Sequence, residues 1–175
     1  RQTDLYQAAS LALKGHPYLT HDPHLKEPQT MLRHIFAEIG GADDSLIDSL
    51  APLFTCLTLK KGDTLYSIKT RADALYLVQQ GELVAYLPND IEDHPRTIET
   101  AIPGTIVGEL DFFGDTTRST SLVCMEDAVV WRLGKSEFEN FMEQDTRLAI
   151  RFMKLTLSFS AERSERYIKN MIHFD

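Results

Sequence analysis

The sequence predicts an α+β fold, an antiparallel β-barrel of the jelly-roll type with helices before it and a long C-terminal helix after it. From about residue 54 to residue 133, apolar residues occur in short alternating segments that Gly, Pro, Asn or Asp separates. On both sides of this region the apolar residues recur at helical spacing instead. Brief strands in close succession favour a barrel or sandwich over alternating strand–helix units.

The first 28 residues are predicted to form an N-terminal helical arm and linker, separate from the domain that fills residues 29–175. Residues 4–14 have the spacing of a short helix, and residues 16–28 contain three prolines and three histidines, a composition typical of an extended linker. The chain begins with Arg1, which favours a piece excised from a longer protein.

Two helices are predicted in residues 29–53, before the barrel. Five apolar residues share one face of the first: Met31, Leu32, Ile35, Phe36 and Ile39. Gly40-Gly41 ends this helix. Asp43 and Asp44 begin the second, where acids meet the positive end of the helix dipole.

About eight strands are predicted in the barrel, residues 54–133. Their apolar markers are Leu57/Leu59, Leu65, Leu75/Leu77, Leu83/Ala85/Leu87, Ile98, Ile106, Leu122 and Val129/Trp131/Leu133. The polar stretch 88–95 is predicted to be an exposed hairpin loop. Cys56 and Cys124 lie in apolar runs, and we expect both to be buried, reduced thiols.

Two helices are predicted in residues 135–172, after the barrel. Residues 136–139, Ser-Glu-Phe-Glu, have the form of a capping box. The longer helix, from about 146 to 170, has an apolar stripe that ends at Phe159 and gives way to charged residues from Glu162 onwards. This change predicts that its far end lies in water or against a partner.

Composition argues against several functional classes. The formal net charge of -8 is unsuited to a nucleic-acid surface, and no apolar run is long enough to cross a bilayer, so we expect a soluble fragment. Of the six histidines only His94 is near a predicted strand, which argues against a jelly-roll metal enzyme. No nucleophile sits on a glycine elbow. We therefore expect no catalytic residues, metal or cofactor.

A candidate pocket for a sugar phosphate begins at Gly108. This glycine lets the backbone approach a ligand closely, and the turn that starts at Glu109 can point N–H groups at an anion. Arg118, nine residues after Glu109, offers a fork that matches phosphate oxygens, and Glu109 can accept a bond from a ribose hydroxyl. The alternative is an ion pair between Glu109 and Arg118 that bridges a surface turn.

These residues resemble the phosphate-binding cassette of cyclic nucleotide-binding domains. The resemblance includes the glycine-containing segments 61–66, 72–83 and 103–109, and it covers roughly residues 53–160. Lys69 stands where the family usually has glycine, and Thr117 where it usually has proline. The ligand contacts that the resemblance implies, with cAMP or cGMP as the ligand, are Gly108, Glu109, Leu110, Arg118, Ser119 and Thr120.

Two pairs of residues in the turn bear on this predicted pocket. Asp111 and Asp115 add negative charge to the turn and should weaken anion binding if both point inward. Phe112 and Phe113 are expected to anchor the turn in the core.

The resemblance implies a regulatory domain, in which ligand would draw the last helix onto the pocket. Three alternatives remain open: a cyclic-nucleotide sensor, a degenerate fold used for protein interaction or oligomerisation, and the sensor half of a transcription regulator. A closer likeness, carried by residues 109–116, Trp131 and residues 161–163, is to the C-terminal cytosolic domain of fungal SulP-type anion transporters that also carry a STAS domain. That likeness implies a location on the cytoplasmic side of a membrane, as part of a transporter.

Overall fold

In the part of the chain that the structure describes, two helices precede the barrel, as the apolar spacing of residues 29–53 predicts. The computed structural model describes residues 28–37, 43–87 and 96–172. Helix α1 spans Pro28–Ala37 and α2 spans Asp44–Leu50. The Asp43 carboxylate caps α2 by accepting a hydrogen bond from the Leu46 N–H at 2.9 Å. A turn of 3-10 helix, Ala51–Leu53, leads into the first strand.

Three of the sequence predictions lie outside the described residues. They are the helix at 4–14 with the linker that follows it, the glycine stop at 40–41, and the hairpin loop at 88–95.

Eight strands form the barrel, which confirms the predicted jelly roll. They are β1 (Phe54–Leu59), β2 (Thr64–Tyr66), β3 (Ala74–Gln80), β4 (Leu83–Leu87), β5 (Arg96–Ala101), β6 (Ile106–Val107), β7 (Ser121–Cys124) and β8 (Ala128–Gly134). They make two four-stranded sheets with the orders β1-β8-β3-β6 and β2-β7-β4-β5. Neighbouring strands pair antiparallel in both sheets.

Strand β3 contributes to two cores because its side chains alternate between faces. Ala74, Tyr76 and Val78 belong to a buried cluster that contains residues of both sheets. Leu75 and Leu77 belong to a second cluster, shared with the helices. The first sheet therefore separates the barrel interior from a helical layer.

Three helices complete the fold: α3 (Glu109–Phe113) between β6 and β7, then α4 (Lys135–Gln144) and α5 (Thr146–Ile172). The predicted capping box at Ser136 is wrong. Strand β8 runs directly into α4, so Gly134 is the capping residue and Ser136 already lies in the first turn. No helix in the described ranges is both long and apolar enough to cross a membrane.

Five phenylalanines join the helices to one another: Phe36, Phe112, Phe113, Phe138 and Phe152. Their contacting rings have centroids 5.1 to 6.1 Å apart. They come from α1, α3, α4 and α5, so this phenylalanine cluster ties the short α3 to the helical layer. It confirms that Phe112 and Phe113 anchor the cassette turn.

The two cysteines differ in burial. Cys124 is buried, as predicted, and burial raises the pKa of its thiol. Cys56 is exposed, so the prediction is wrong for this residue. Its strand, β1, is at the edge of a sheet and is largely exposed after Phe54.

Candidate functional site

A cavity of about 170 Å³ lies where α3 meets the second sheet. Five of the six predicted ligand contacts line it: Gly108, Glu109, Leu110, Ser119 and Thr120. Arg118, the sixth, is not part of the lining. Five of these residues thus lie together at one cavity, and the role of all six as ligand contacts stays a prediction.

Glu109 is buried, with 2% of its surface exposed, and α5 supplies its partners. Its Oε1 accepts a hydrogen bond from the Ser160 hydroxyl and another from the Arg163 Nη2 at 3.0 Å. Glu109 is the residue that the resemblance assigns as the acceptor for a ribose hydroxyl. In this structure, residues of α5 donate hydrogen bonds to it instead.

Arg163 bridges three parts of the pocket wall, and we call this set of contacts the Arg163 clamp. Besides Glu109, the guanidinium donates to the Ile106 carbonyl and forms an ion pair with Glu99, with Nε 2.9 Å from Oε1. Only 15% of the Arg163 side chain is exposed. The expectation that this charged end of the helix lies in water or against a partner is wrong for Arg163, because Glu99 of β5 and Glu109 of α3 face it.

Glu99 is the second acid of the clamp. Burial raises the pKa of Glu99, the Arg163 charge opposes that rise, and the nearby Glu109 adds to it. A single guanidinium shared between two carboxylates leaves this part of the site negative while both acids are ionised.

Arg118 supports the cassette turn from behind. It is 1% exposed, and it donates to the Gly108 carbonyl at 2.9 Å and to the Ala74 carbonyl. Its guanidinium carbon lies 4.1 Å from the centre of the Tyr66 ring, a cation–π contact. Among the described residues it does not pair with Glu109, so the ion-pair alternative is wrong.

The backbone at Gly108 requires glycine for two reasons. Its φ is +74°, in the left-handed region that side chains disfavour. A Cβ there would also lie 2.5 Å from the Arg118 Nη1. The buried guanidinium therefore takes the space that a side chain would need.

The two acids of the turn point in different directions. Asp111 lines the cavity, and its Oδ2 accepts bonds from the N–H and the hydroxyl of Ser119, both at 3.1 Å. The Asp115 side chain is 79% exposed, and its Oδ1 lies 3.4 Å from the Lys135 Nζ. The condition that both acids point inward is therefore not met, because Asp115 faces solvent.

Tyr66 and five aliphatic residues give the cavity an apolar wall, and they are Ala85, Ile98, Ala101, Val107 and Leu122. Burial raises the pKa of Tyr66 well above its usual range, and its side chain shares a hydrogen bond with Thr120. The sequence identifies Tyr66 only as the last residue of the glycine-containing segment 61–66 and gives no indication that it lines a pocket.

The cavity has the composition of a binding site. Within the described ranges, no three His, Cys, Asp or Glu side chains are grouped closely enough to hold a metal ion. The lining combines carboxylate acceptors with an apolar wall, the usual composition of a small-molecule site.

Comparison with protein families gives one match over residues 56–145, to the family described as "Cyclic nucleotide-binding domain". Among curated proteins, the chain is similar to uncharacterized NTE family proteins of Mycobacterium bovis and Mycobacterium tuberculosis. Each is 28% identical over 117 residues, which is 67% of this chain and 19% of the relative. The chain thus spans about a fifth of the length of these relatives.

Solved structures share the fold at low sequence identity. A cyclic nucleotide-binding domain from Methylobacillus flagellatus has a TM-score of 0.71 at 15% identity, over 85% of this chain and 86% of that one. The N-terminal domain of a Streptomyces coelicolor transcriptional regulator gives 0.61 at 20%, over 79% and 94%. The regulatory domain of Toxoplasma gondii PKA with cAMP gives 0.59 at 21%, over 71% and 46%.

Proposed function

Because the chain belongs to the cyclic nucleotide-binding domain family, we propose that it is a regulatory, non-catalytic domain in which a small ligand competes with α5 for the cavity. The observation that carries this proposal is the Arg163 clamp, which joins the end of the last helix to the buried Glu109. A ligand that takes the place of Arg163 at the Glu109 Oε1 opens this clamp. Occupancy of the cavity would then change the position of α5.

The size of the cavity supports this competition. Ligand sites usually enclose about 300–1,000 Å³, whereas this cavity has 170 Å³. We therefore expect a nucleotide-sized ligand to fit better when the end of α5 moves away. The domain would have a closed and an open arrangement, and a ligand that binds only the open one shifts the balance towards it.

The direction of the helix movement differs from the expectation drawn from the sequence. Ligand was expected to draw the last helix onto the pocket, but Arg163 already contacts Glu109 across it. We therefore propose that ligand releases this part of α5, and that the released surface is what a partner or the rest of a longer protein detects.

Family membership makes cAMP and cGMP the first ligands to test. We would titrate both by calorimetry and follow hydrogen exchange in residues 159–172. The proposal expects a ligand that binds to lower the protection of this segment, while β3 and β8 keep theirs. A ligand that binds and leaves the protection of α5 unchanged would contradict the coupling.

A second candidate function is a protein-interaction or oligomerisation module that no longer binds cyclic nucleotides. Two of the predicted ligand contacts are already bound within the chain, Arg118 by carbonyl oxygens and Ser119 by Asp111, and this observation favours it. This candidate expects neither cyclic nucleotide to bind at millimolar concentration, and it expects only a protein partner to change the exchange of α5.

The kind of longer protein to which this domain belongs is also a matter of proposal. The likeness to SulP-type transporters would put the domain on the cytoplasmic side of a membrane, but none of the comparisons links the chain to such transporters or to STAS domains. The sensor half of a transcription regulator stays a further alternative, since one structural neighbour is the N-terminal domain of a transcriptional regulator. The gene-level sequence of the parent would decide between these contexts.

A further inference from the structure

The Asp111 carboxylate accepts both hydrogen-bond donors of Ser119 at the edge of the cavity, and we propose that the cavity therefore selects an uncharged, hydroxyl-bearing ligand of the nucleoside type over a phosphate ester. This inference rests on the proposed function and names the class of ligand that the site would take.

The first step concerns the two donors of Ser119. Its N–H and its hydroxyl both bond to the same carboxylate oxygen, Oδ2 of Asp111, at 3.1 Å. A carboxylate oxygen and a phosphate oxygen accept the same kind of charge-assisted bond. A phosphate that binds these two donors would have to displace the Asp111 carboxylate. Asp111 stands only eight residues before Ser119 in the chain, so its side chain stays close to these donors.

The second step concerns the positive charge of Arg118. Its fork is bound to the carbonyl oxygens of Gly108 and Ala74, and its face lies over Tyr66. With 1% of its surface exposed, it lies outside the cavity lining. The two Nη groups of Arg118 are therefore already used within the fold, while its buried Nε has no hydrogen-bond partner among the described residues.

The third step is the charge of the lining itself. Glu99, Glu109 and Asp111 contribute three carboxylates and Arg163 contributes one guanidinium, so the lining side chains carry two net negative charges when all four are ionised. The Arg118 guanidinium, buried behind Gly108 and against Tyr66, offsets one of these charges. The negative charge that remains disfavours an anionic ligand and has no such effect on a neutral one.

The fourth step is what the lining can bind. Glu99 and Glu109 can accept bonds from ligand hydroxyls once the Arg163 clamp opens. The aliphatic wall and Tyr66 offer an apolar surface to a flat ring. A cavity of about 150 Å³ holds benzene, so the 170 Å³ found here has room for one small ring before the clamp opens. A nucleoside combines a flat base, several hydroxyls and no charge.

The experiment compares adenosine with cAMP and guanosine with cGMP by calorimetry, on the wild type and on Asp111→Ala. We expect the wild type to bind at least one nucleoside about tenfold or more tightly than its cyclic nucleotide, a gap of about 1.4 kcal/mol. Asp111→Ala should improve cyclic-nucleotide binding about tenfold and change nucleoside binding by less than about threefold.

Two further variants make this comparison specific. Asp115→Ala removes the exposed acid of the same turn and should behave like the wild type. Asp111→Asn keeps an oxygen that can accept the Ser119 bonds and removes only the charge, so it should improve cyclic-nucleotide binding less than Asp111→Ala. It also serves as the second test if Asp111→Ala folds poorly.

Several outcomes overturn the inference. They are a cyclic nucleotide that binds the wild type as tightly as its nucleoside, no nucleoside binding at millimolar concentration, or equal effects of Asp111→Ala and Asp115→Ala. Its failure differs from that of the regulatory proposal. If nucleosides bind more tightly than cyclic nucleotides but α5 keeps its exchange protection, only the regulatory proposal fails. If a cyclic nucleotide binds best and releases α5, only the ligand class is wrong.

Discussion

The buried guanidinium of Arg118 holds the cassette turn in place through two backbone carbonyls and an aromatic ring. Its spacing from Glu109 predicted that it would lie at the pocket, and it does lie directly behind Gly108. Spacing alone could not show that its donors bind the backbone. That outcome depends on Ala74 and Tyr66, which come from a different part of the chain.

We expect Arg118→Ala to lower the free energy of unfolding by about 3 kcal/mol, because two buried carbonyls lose a charged donor and the ring contact disappears. Urea denaturation measures this change. The matched control is Arg33→Ala, whose partly exposed side chain pairs with Asp44 and Asp48 on the surface, so its loss should change the free energy of unfolding much less. Equal losses in the two variants would show that the buried contacts of Arg118 add no stability.

Other residues show where local sequence is informative and where it is not. Lys69, flagged as standing at a glycine position of the family, has a φ of +66°, which explains why glycine is usual there. Asp111 and Asp115 have a spacing that would share a face in a continuous helix. However, α3 ends at Phe113, and Asp115 has a φ of +53°, so its side chain turns outward.

At the scale of elements, the apolar periodicity predicted most helices and strands because each must bury one face. It predicted α1 and α5 to within a few residues of their observed bounds. What it could not predict is the partner of a polar residue on a helix. Arg163 lies in a charged stretch, and its contacts are with acids from β5 and α3, more than 50 residues earlier in the chain.

We expect Arg163→Ala to increase hydrogen exchange about tenfold or more in residues 159–172 without added ligand, because the end of α5 loses its bonds to the barrel. Exchange followed by mass spectrometry measures this change. Lys169→Ala is the control, since its long, exposed pair with Glu165 lies within the helix and should contribute little. If the two variants exchange alike, apolar packing at Phe159 and not the clamp holds the helix end.

At the scale of the whole molecule, the first sheet carries a core on each face. Phe152 of α5 is buried in the helical cluster and Val130 of β8 in the barrel cluster. The alternating strands and the striped helices predicted both layers. They could not predict that α3, only five residues long, would join the cavity to the helical layer through Phe112.

We expect Phe152→Ala to lower the free energy of unfolding by about 3–5 kcal/mol and Val130→Ala to lower it by about 2 kcal/mol. Each variant should still unfold in one cooperative thermal transition. The shared sheet should make the helical layer and the barrel unfold together. Calorimetry tests this, with the half-exposed Leu157→Ala as a control expected to melt close to the wild type. Two separated transitions in Phe152→Ala would mean that the helical layer is a separate folding unit.

The Arg163 clamp also bears on the order in which the chain folds. Arg163 is 57 residues from Ile106 and 54 from Glu109, so its contacts close long loops, and the barrel must already exist to receive them. Docking of the end of α5 is therefore expected to be a late event. A barrel that is complete while this helix end is undocked has the same arrangement that ligand entry requires. The last step of folding, run in reverse, would then be the step that opens the pocket.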